Sequence, residues 1–419
     1  MASQTASANA PRSVAVIGAG AVGICAALHL QRDGHRVTVY DPRPPGEGAS
    51  FGNAGVISNA SVMPESTPGL WRKLPAMLAD GAGPVWIRWR TLPQRAPYLT
   101  RFFLSGTPKR AAAISKTLTA LSAQAYPAHR ALADAAGVGN LLRGTGWLKA
   151  FEDEAEFAAF APELRLLEER GIAVEVLNRD ELRQLEPALA PIFARAVFLP
   201  GSGSVESPVR LVQGYAAHFV GNGGAIEPRK VTHLKPADGR VTIDTDGGPV
   251  AADAAVIAAG AWSKTLAAQV GCRVPLDTER GYHAMFAGDG GLRHPVLHSR
   301  YGYVVSPMAD GARMTFGAEL AGLHAPPDWR RLRAMVPRLR RALPGLTEEV
   351  TSEWLGFRPS LPDSLPVIGQ SPDHPSVILA FGHGHIGLSL SAITGQFVAD
   401  LLAGRTPEVD LAPTRADRF

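Results

Sequence analysis

The 419-residue chain has only two cysteines, Cys25 in an apolar stretch and Cys272 far from it. That excludes a disulfide framework and a cysteine-based metal site, and it makes a reducing compartment, the cytoplasm, the default expectation. Excess charge of one sign is also lacking. There are 42 Lys and Arg against 38 Asp and Glu, and the two signs are mixed along the chain, which argues against a nucleic-acid partner. The early apolar stretch Val14 to Leu28 is broken by Gly18, Gly20 and Gly23. It falls short of the roughly 20 residues a membrane span needs, and it has only Arg12 as a basic flank, so it reads as neither span nor signal peptide. The first eleven residues, MASQTASANAP, are expected to be a disordered leader. No internal repeat or long low-complexity linker interrupts the chain. A hydrophobic fraction of 46% over this length suits a soluble globular protein of two or three structural units.

What the chain does have is a complete strand, turn and helix signal near its start. Ser13 to Ile17 is a short β-branched run, Gly18-Ala19-Gly20-Ala21-Val22-Gly23 follows at once, and Ile24 to Arg32 carries helical periodicity. In such a unit one glycine permits the turn, one lets the backbone approach a pyrophosphate, and one lets helix pack on strand. The helix N-terminus then offers free N–H groups and its positive dipole end to the phosphates. A second strand, Arg36 to Tyr40, ends at Asp41, close to the offset expected for the acid that binds a ribose. Asp41 disfavours NADP, whose 2′-phosphate would meet like charge. The fingerprint alone does not separate FAD from NAD. The segment Gly46 to Gly55, GEGASFGNAG, is rich in glycine where a plain NAD domain begins another helix, so it reads as a second backbone cradle. Ser50 and Asn53 are its candidate donors to phosphate or flavin, with a surface loop as the alternative.

These segments resemble the FAD-dependent D-amino acid oxidase and dehydrogenase superfamily, most closely its D-amino acid dehydrogenase branch. The resemblance spans nearly the whole chain. Besides GAGAVG and GASFGNAG it includes GSGSVESP at Gly201 to Pro208, VIAAGAWS at Val256 to Ser263, ERGYHAMF at Glu279 to Phe286, GFRPSLPDSLPVIG at Gly356 to Gly369 and GHGHIGLSLSAITG at Gly382 to Gly395. The resemblance implies an α/β fold, with a Rossmann-type FAD-binding domain and an inserted α+β substrate domain that carries an antiparallel sheet. The cofactor domain is expected to be discontinuous, over 12–62, 198–275 and 353–419, with 63–197 and 276–352 forming the substrate domain.

The same resemblance assigns residues. Non-covalent FAD is expected against Gly18 to Gly23, Asp41, Ser50, Asn53, Ala54 and Gly55, with Val231 at the adenine and Ala259, Gly260 and Trp262 at the end of a second cofactor strand. The turn Gly382, His383, Gly384, His385, Ile386 and Gly387 would face the flavin ring, where a helix N-terminus stabilises negative charge. His383 and His385 read as lining that pocket; a catalytic role for His385 stays open, and no metal site is expected. Arg358 is expected to grip a substrate carboxylate, as a planar guanidinium suits that bidentate task. Tyr303, or Tyr301 on the same strand face, is expected to assist it, while Tyr282 reads as structural. The expected reaction is oxidation of a D-amino acid to the imino acid and then the 2-oxo acid, with hydride passing to FAD and on to oxygen or a quinone. Secondary amines such as sarcosine-, proline- or opine-like compounds are the alternative substrates, and a catalytically silent flavin-binding subunit is the alternative of another class. Trp71, Arg72, Lys73, Trp86, Arg88, Trp89, Arg90, Arg95, Tyr98, Arg101, Phe102 and Phe103, with Asp80 the only acid among them, concentrate aromatic and basic residues. They read either as a peripheral contact on the inner face of a membrane or as a helical hairpin with an aromatic core.

Overall fold

A computed structural model describes residues 10–72 and 83–419. Residues 1–9 of the expected leader, and Lys73 and Asp80 of the aromatic and basic group, lie outside the described residues. Two large sheets organise the rest. The first has six strands in the order Ala225–Glu227, Arg36–Tyr40, Ser13–Ile17, Ala254–Ile257, Val377–Phe381 and Val367–Gln370. All neighbours run parallel except the last pair, which is antiparallel. Strands buried on both faces must be almost wholly apolar, and Val14, Val16, Ala255, Val256, Ile257, Ile378 and Leu379 meet that demand.

The helices Ala21–Arg32 and Gly387–Ala403 pack on one face of this sheet. Their backbones touch because Gly395 has no side chain; a Cβ there would lie 2.6 Å from the Cys25 carbonyl. Among the described residues, the stretch Gly384–Ala403 has the length and hydropathy of a membrane span, and 72% of it is buried inside the protein. It is a core helix.

The second sheet roofs the first. It runs in the order Val350–Ser360, Asp277–Phe286, Gly311–Leu320, Tyr303–Met308, Val296–His298, Trp147–Phe151, Arg195–Leu199 and Glu175–Asn178, and Val85–Ile87 adds in parallel to the end of Gly311–Leu320. Its central pairs are antiparallel, as expected of the substrate region. The outer face carries Tyr282, Phe286, Tyr303, Met314 and Phe316 against the helix Trp329–Ala342. The inner face turns toward the cofactor sheet. The segment joints expected near 198 and 353 both fall inside strands of this sheet, so Arg358 sits on the roof and not on the parallel sheet. Two helices, Pro108–Ser122 and Ala125–Ala135, follow each other closely in the substrate region. A further helix, Glu154–Glu169, starts at its N-cap Asp153, which accepts the Glu156 N–H at 2.8 Å.

The aromatic and basic group does not form one surface. Trp86, Arg95 and Tyr98 are buried, while Phe102 and Phe103 line an internal cavity. Trp71 and Trp89 remain exposed, at 63% and 65%, near Arg72 and Arg90 in the chain.

Candidate active site

A cavity of about 1300 Å³ is lined by residues of both sheets. Its floor is the glycine turn. Gly18 adopts φ +112°, and a Cβ on it would meet the Ala258 carbonyl oxygen at 2.4 Å; a Cβ on Gly23 would lie 1.8 Å from the Gly18 oxygen. Those two glycines serve the turn and the packing of helix on strand. Gly20 differs. The nearest atom to its Cβ position is Ser50 Oγ at 3.7 Å, so the missing side chain leaves open space in the cavity.

Ser50 Oγ accepts the Ala21 N–H at 3.1 Å, and the other first-turn N–H groups of the helix have no acceptor within it. The Asp41 carboxylate accepts the N–H groups of Ala19 and Arg43, at 2.9 and 3.0 Å, which ties the end of the second strand to the turn. A cradle of amides with a vacant Cβ space and a carboxylate at its rim fits a dinucleotide pyrophosphate and ribose.

The second cradle is held from the roof. Arg313 donates to the carbonyls of Phe51 and Asn53, His283 Nδ1 lies 3.1 Å from the Gly52 oxygen, and Trp354 covers Gly52. Ser306 Oγ donates to the Ala54 carbonyl at 2.7 Å. The side chain of Asn53 is used inside the loop, donating to the Ser50 carbonyl and accepting the Gly55 N–H. Its part is to shape the cradle.

Val231, Ala259, Gly260 and Trp262 all line the cavity, with the Arg43 guanidinium 4.9 Å from the Trp262 ring centre. So do His383 to Gly387 of the C-terminal turn. Gly23, Gly55 and Gly382 stand behind the wall. His383 is buried and hydrogen-bonded to Thr394 Oγ1 at 3.0 Å, and burial pushes its imidazole down to about 3. His385 is half-exposed to the cavity, with Nδ1 2.7 Å from the Glu65 carboxylate.

The same cavity contains a compact polar group on the roof. Glu279 and Arg358 are cross-strand partners, and Arg358 Nη1 donates to the Gly317 carbonyl at 2.7 Å. Tyr98 Oη lies 3.4 Å from Glu279 Oε1. Glu279 is pushed well above the usual carboxylate range, first by burial and then by the charge and hydrogen bond of Glu65. For Glu65, burial acts upward, but the hydrogen bond and charge of His385, the hydrogen bond to Glu279 and the charge of Arg358 prevail and leave it at about 2. The Glu65 side chain, 24% accessible, lines the cavity. Two carboxyls in so enclosed a site share one proton and one negative charge, with Glu279 pushed up and Glu65 down.

Tyr303 and Tyr301 correct the sequence expectation. Strand residues alternate between faces, and Val304 takes the cavity side while Tyr303 points into the outer core at 1% exposure. Tyr301 packs on that same outer core, under the Arg338 guanidinium at 4.5 Å. Neither lines the cavity. The tyrosine near Arg358 is Tyr98, which in the sequence belongs to the aromatic and basic group. Glu65 and Glu279 were missed as well, although Glu279 lies in a quoted motif two residues from Gly281, on the same strand face as that glycine.

A profile of the family described as FAD dependent oxidoreductase matches residues 13–401. The chain belongs to this family. It is 41% identical over 417 residues to a D-amino-acid oxidase of Bradyrhizobium diazoefficiens, covering 97% of this chain and 99% of the relative. It is 30% identical to D-amino acid dehydrogenase 2 of Mesorhizobium japonicum, covering 95% and 98%. Among solved structures, glycine oxidase from Geobacillus kaustophilus superposes with a TM-score of 0.76 at 25% identity, over 98% of this chain and 99% of the other. The expected Rossmann-type flavoenzyme fold and the resemblance to D-amino acid oxidases and dehydrogenases are borne out. FAD is the family's cofactor, and the cradles described above suit it. Both thiols, Cys25 and Cys272, are buried away from the cavity, so no cysteine is placed to anchor a flavin.

Proposed function

We propose that this flavoenzyme oxidises D-amino acids to imino acids, which water then hydrolyses to 2-oxo acids and ammonia. The observation that carries this reading is Arg358. A half-buried guanidinium lining the cavity, with one nitrogen bound to a carbonyl and the rest available, is suited to grip a carboxylate and orient the α-carbon. FAD, when bound, supplies the acceptor for the two electrons and the α-hydrogen. The turn His383 to Gly387, opening the helix Gly387–Ala403, is the proposed support for the flavin ring, and Gly18 to Val22 with Asp41 the support for pyrophosphate and ribose. The 41% relative named D-amino-acid oxidase supports the D-configured substrate and dioxygen as acceptor. A quinone reached from a membrane surface is the second reading, favoured by the exposed Trp71 and Trp89 and the neighbouring arginines; flotation with anionic vesicles at low salt tests it, and absence of binding rejects it.

The decisive experiment is anaerobic mixing of the holoenzyme with D-amino acids, their L-enantiomers, glycine, sarcosine and proline, following bleaching of the flavin. Fast bleaching by D-amino acids, with peroxide formed on readmission of air, is the expected result. Bleaching by secondary amines alone would replace the substrate class, and no bleaching by any compound would make the chain a silent flavin-binding subunit.

A further inference from the structure

An amino acid in neutral water carries an ammonium group, and its nitrogen has no lone pair with which to form a C=N bond until one proton leaves. Arg358 cannot take that proton, and the Glu65 carboxylate is engaged by His385 Nδ1 at 2.7 Å and sits in the field of Arg358, which makes it a weak base. Glu279 is pushed well above the usual carboxylate range by burial and shares a proton with Glu65. His383 is turned to Thr394 and is kept neutral by burial. His385 is placed differently. It lines the cavity with about half of its side chain accessible, its Nδ1 is fixed 2.7 Å from Glu65 Oε1, and its Nε2 makes no hydrogen bond among the described residues.

We propose that His385 accepts the proton of the substrate ammonium at Nε2, and that Glu65 is the positioning residue that holds the imidazole through Nδ1. This rests on the amine-oxidising reading above. The step balances simply: the N–H bond of the ammonium breaks, its electron pair remains on nitrogen, and the proton forms the Nε2–H bond. The carboxylate partner fixes the tautomer with Nδ1–H toward Glu65, which leaves the Nε2 lone pair without a partner among the described residues, and it stabilises the imidazolium once formed.

The charged and titratable groups around the ring fit this direction of transfer. Glu65 comes from the loop after the strand Val56–Ile57, Glu279 and Arg358 from neighbouring roof strands, Tyr98 from the helix Leu92–Ser105, and His383 from the ring's own turn. The Glu65 and Glu279 pair carries one negative charge and Arg358 the positive one, while burial and the nearby carboxylates keep the Tyr98 phenol neutral. A substrate carboxylate on Arg358 would add a second negative charge to the group, which favours a cationic ring beside it.

The test uses holoenzyme and the compound that bleaches the flavin fastest in the panel above, so that the substrate class and the proton acceptor are decided separately. The rate of flavin bleaching is measured from pH 6 to pH 10 for wild type, His385→Asn and Glu65→Gln, and the binding of benzoate, which has a carboxylate and no amine, is followed by the flavin spectrum. The expected result for His385→Asn is a loss of about 10²-fold in bleaching rate at pH 7 that recovers as the amine becomes neutral in solution, with benzoate affinity unchanged. Glu65→Gln should show a smaller loss, with the acid limb of its profile displaced toward lower pH. A His385→Asn profile that superimposes on wild type overturns the proposal, as does a uniform loss at every pH accompanied by weaker benzoate binding.

Discussion

The guanidinium of Arg313, on the roof sheet, donates from Nη1 to the carbonyls of Phe51 at 3.0 Å and Asn53 at 2.9 Å, which belong to the cofactor cradle below it. Arg313 is 6% exposed, and burial lowers its pKa to about 10. Replacing it with methionine would leave two acceptors with no partner in a largely water-free place, at about 1–3 kcal/mol each. The Arg313→Met variant should therefore bind FAD about 10- to 100-fold more weakly, measured by quenching of flavin fluorescence on titration of the apoprotein. Unchanged affinity would mean that the cradle is rigid without its clamp.

Two glycines of the first turn should fail in different ways. A Cβ on Gly23 would overlap the Gly18 carbonyl at 1.8 Å, whereas one on Gly20 would meet nothing closer than 3.7 Å. Gly23→Ala should cost the apoprotein several degrees of Tm. Gly20→Ala should leave that Tm near wild type and lose FAD affinity, because its methyl group enters the space where the backbone must approach the pyrophosphate. Differential scanning fluorimetry with and without FAD separates the two; equal behaviour would contradict the assignment of their roles.

The difference between what the sequence disclosed and what it hid follows from range. The floor was legible because strand, turn, helix and Asp41 lie within about thirty consecutive residues and each obeys a local rule. That Arg358 lines the cavity agrees with where its motif placed it. Glu65, Glu279 and Tyr98 come from three separated segments and meet only through tertiary pairing, such as the register that sets Glu279 opposite Arg358. Tyr303 was misread for a related reason. Strand periodicity says that Tyr301 and Tyr303 share a face, but which face looks into the cavity is decided by partners, and Val304 opposite Thr315 takes it.

That misreading yields a direct test. The Tyr303 hydroxyl is buried in the outer core without a hydrogen-bond partner among the described residues. An unsatisfied buried hydroxyl costs stability, so Tyr303→Phe should keep kcat/KM within about twofold of wild type and hold or raise Tm. A steady-state assay and a melting curve suffice. A large fall in kcat/KM would restore Tyr303 to the substrate site.

Acid should unfold the protein early, and buried histidines give the sign. Burial lowers His29, His129 and His298 to about 4, and His283 and His383 to about 3. Between about pH 6.5 and those values the unfolded chain takes up protons that the folded chain refuses, so stability falls as pH falls. Each such group contributes at most about 1.4 kcal/mol per pH unit. Tm measured from pH 7.5 to pH 5 should decline steadily. His383→Asn should flatten that decline, and an identical slope in the variant would remove His383 from the account.

Arg358 and Gly281 supply the sharpest check on the carboxylate grip. A Cβ on Gly281 would lie 2.4 Å from Arg358 Nη2 and 2.5 Å from its Cζ, while Nη1 is tied to the Gly317 carbonyl at 2.7 Å. Gly281→Ala must therefore push the guanidinium aside by about 1 Å to reach ordinary contact distance. A displacement of that size at a positioning group costs about 10²-fold in rate. The cofactor cradles do not involve Gly281, so flavin content should stay at the wild-type level while kcat/KM for a D-amino acid falls. Arg358→Ala, which removes the grip outright, should fall at least as far. If Gly281→Ala retained full activity in a folded, flavin-loaded protein, the guanidinium would not be what holds the substrate.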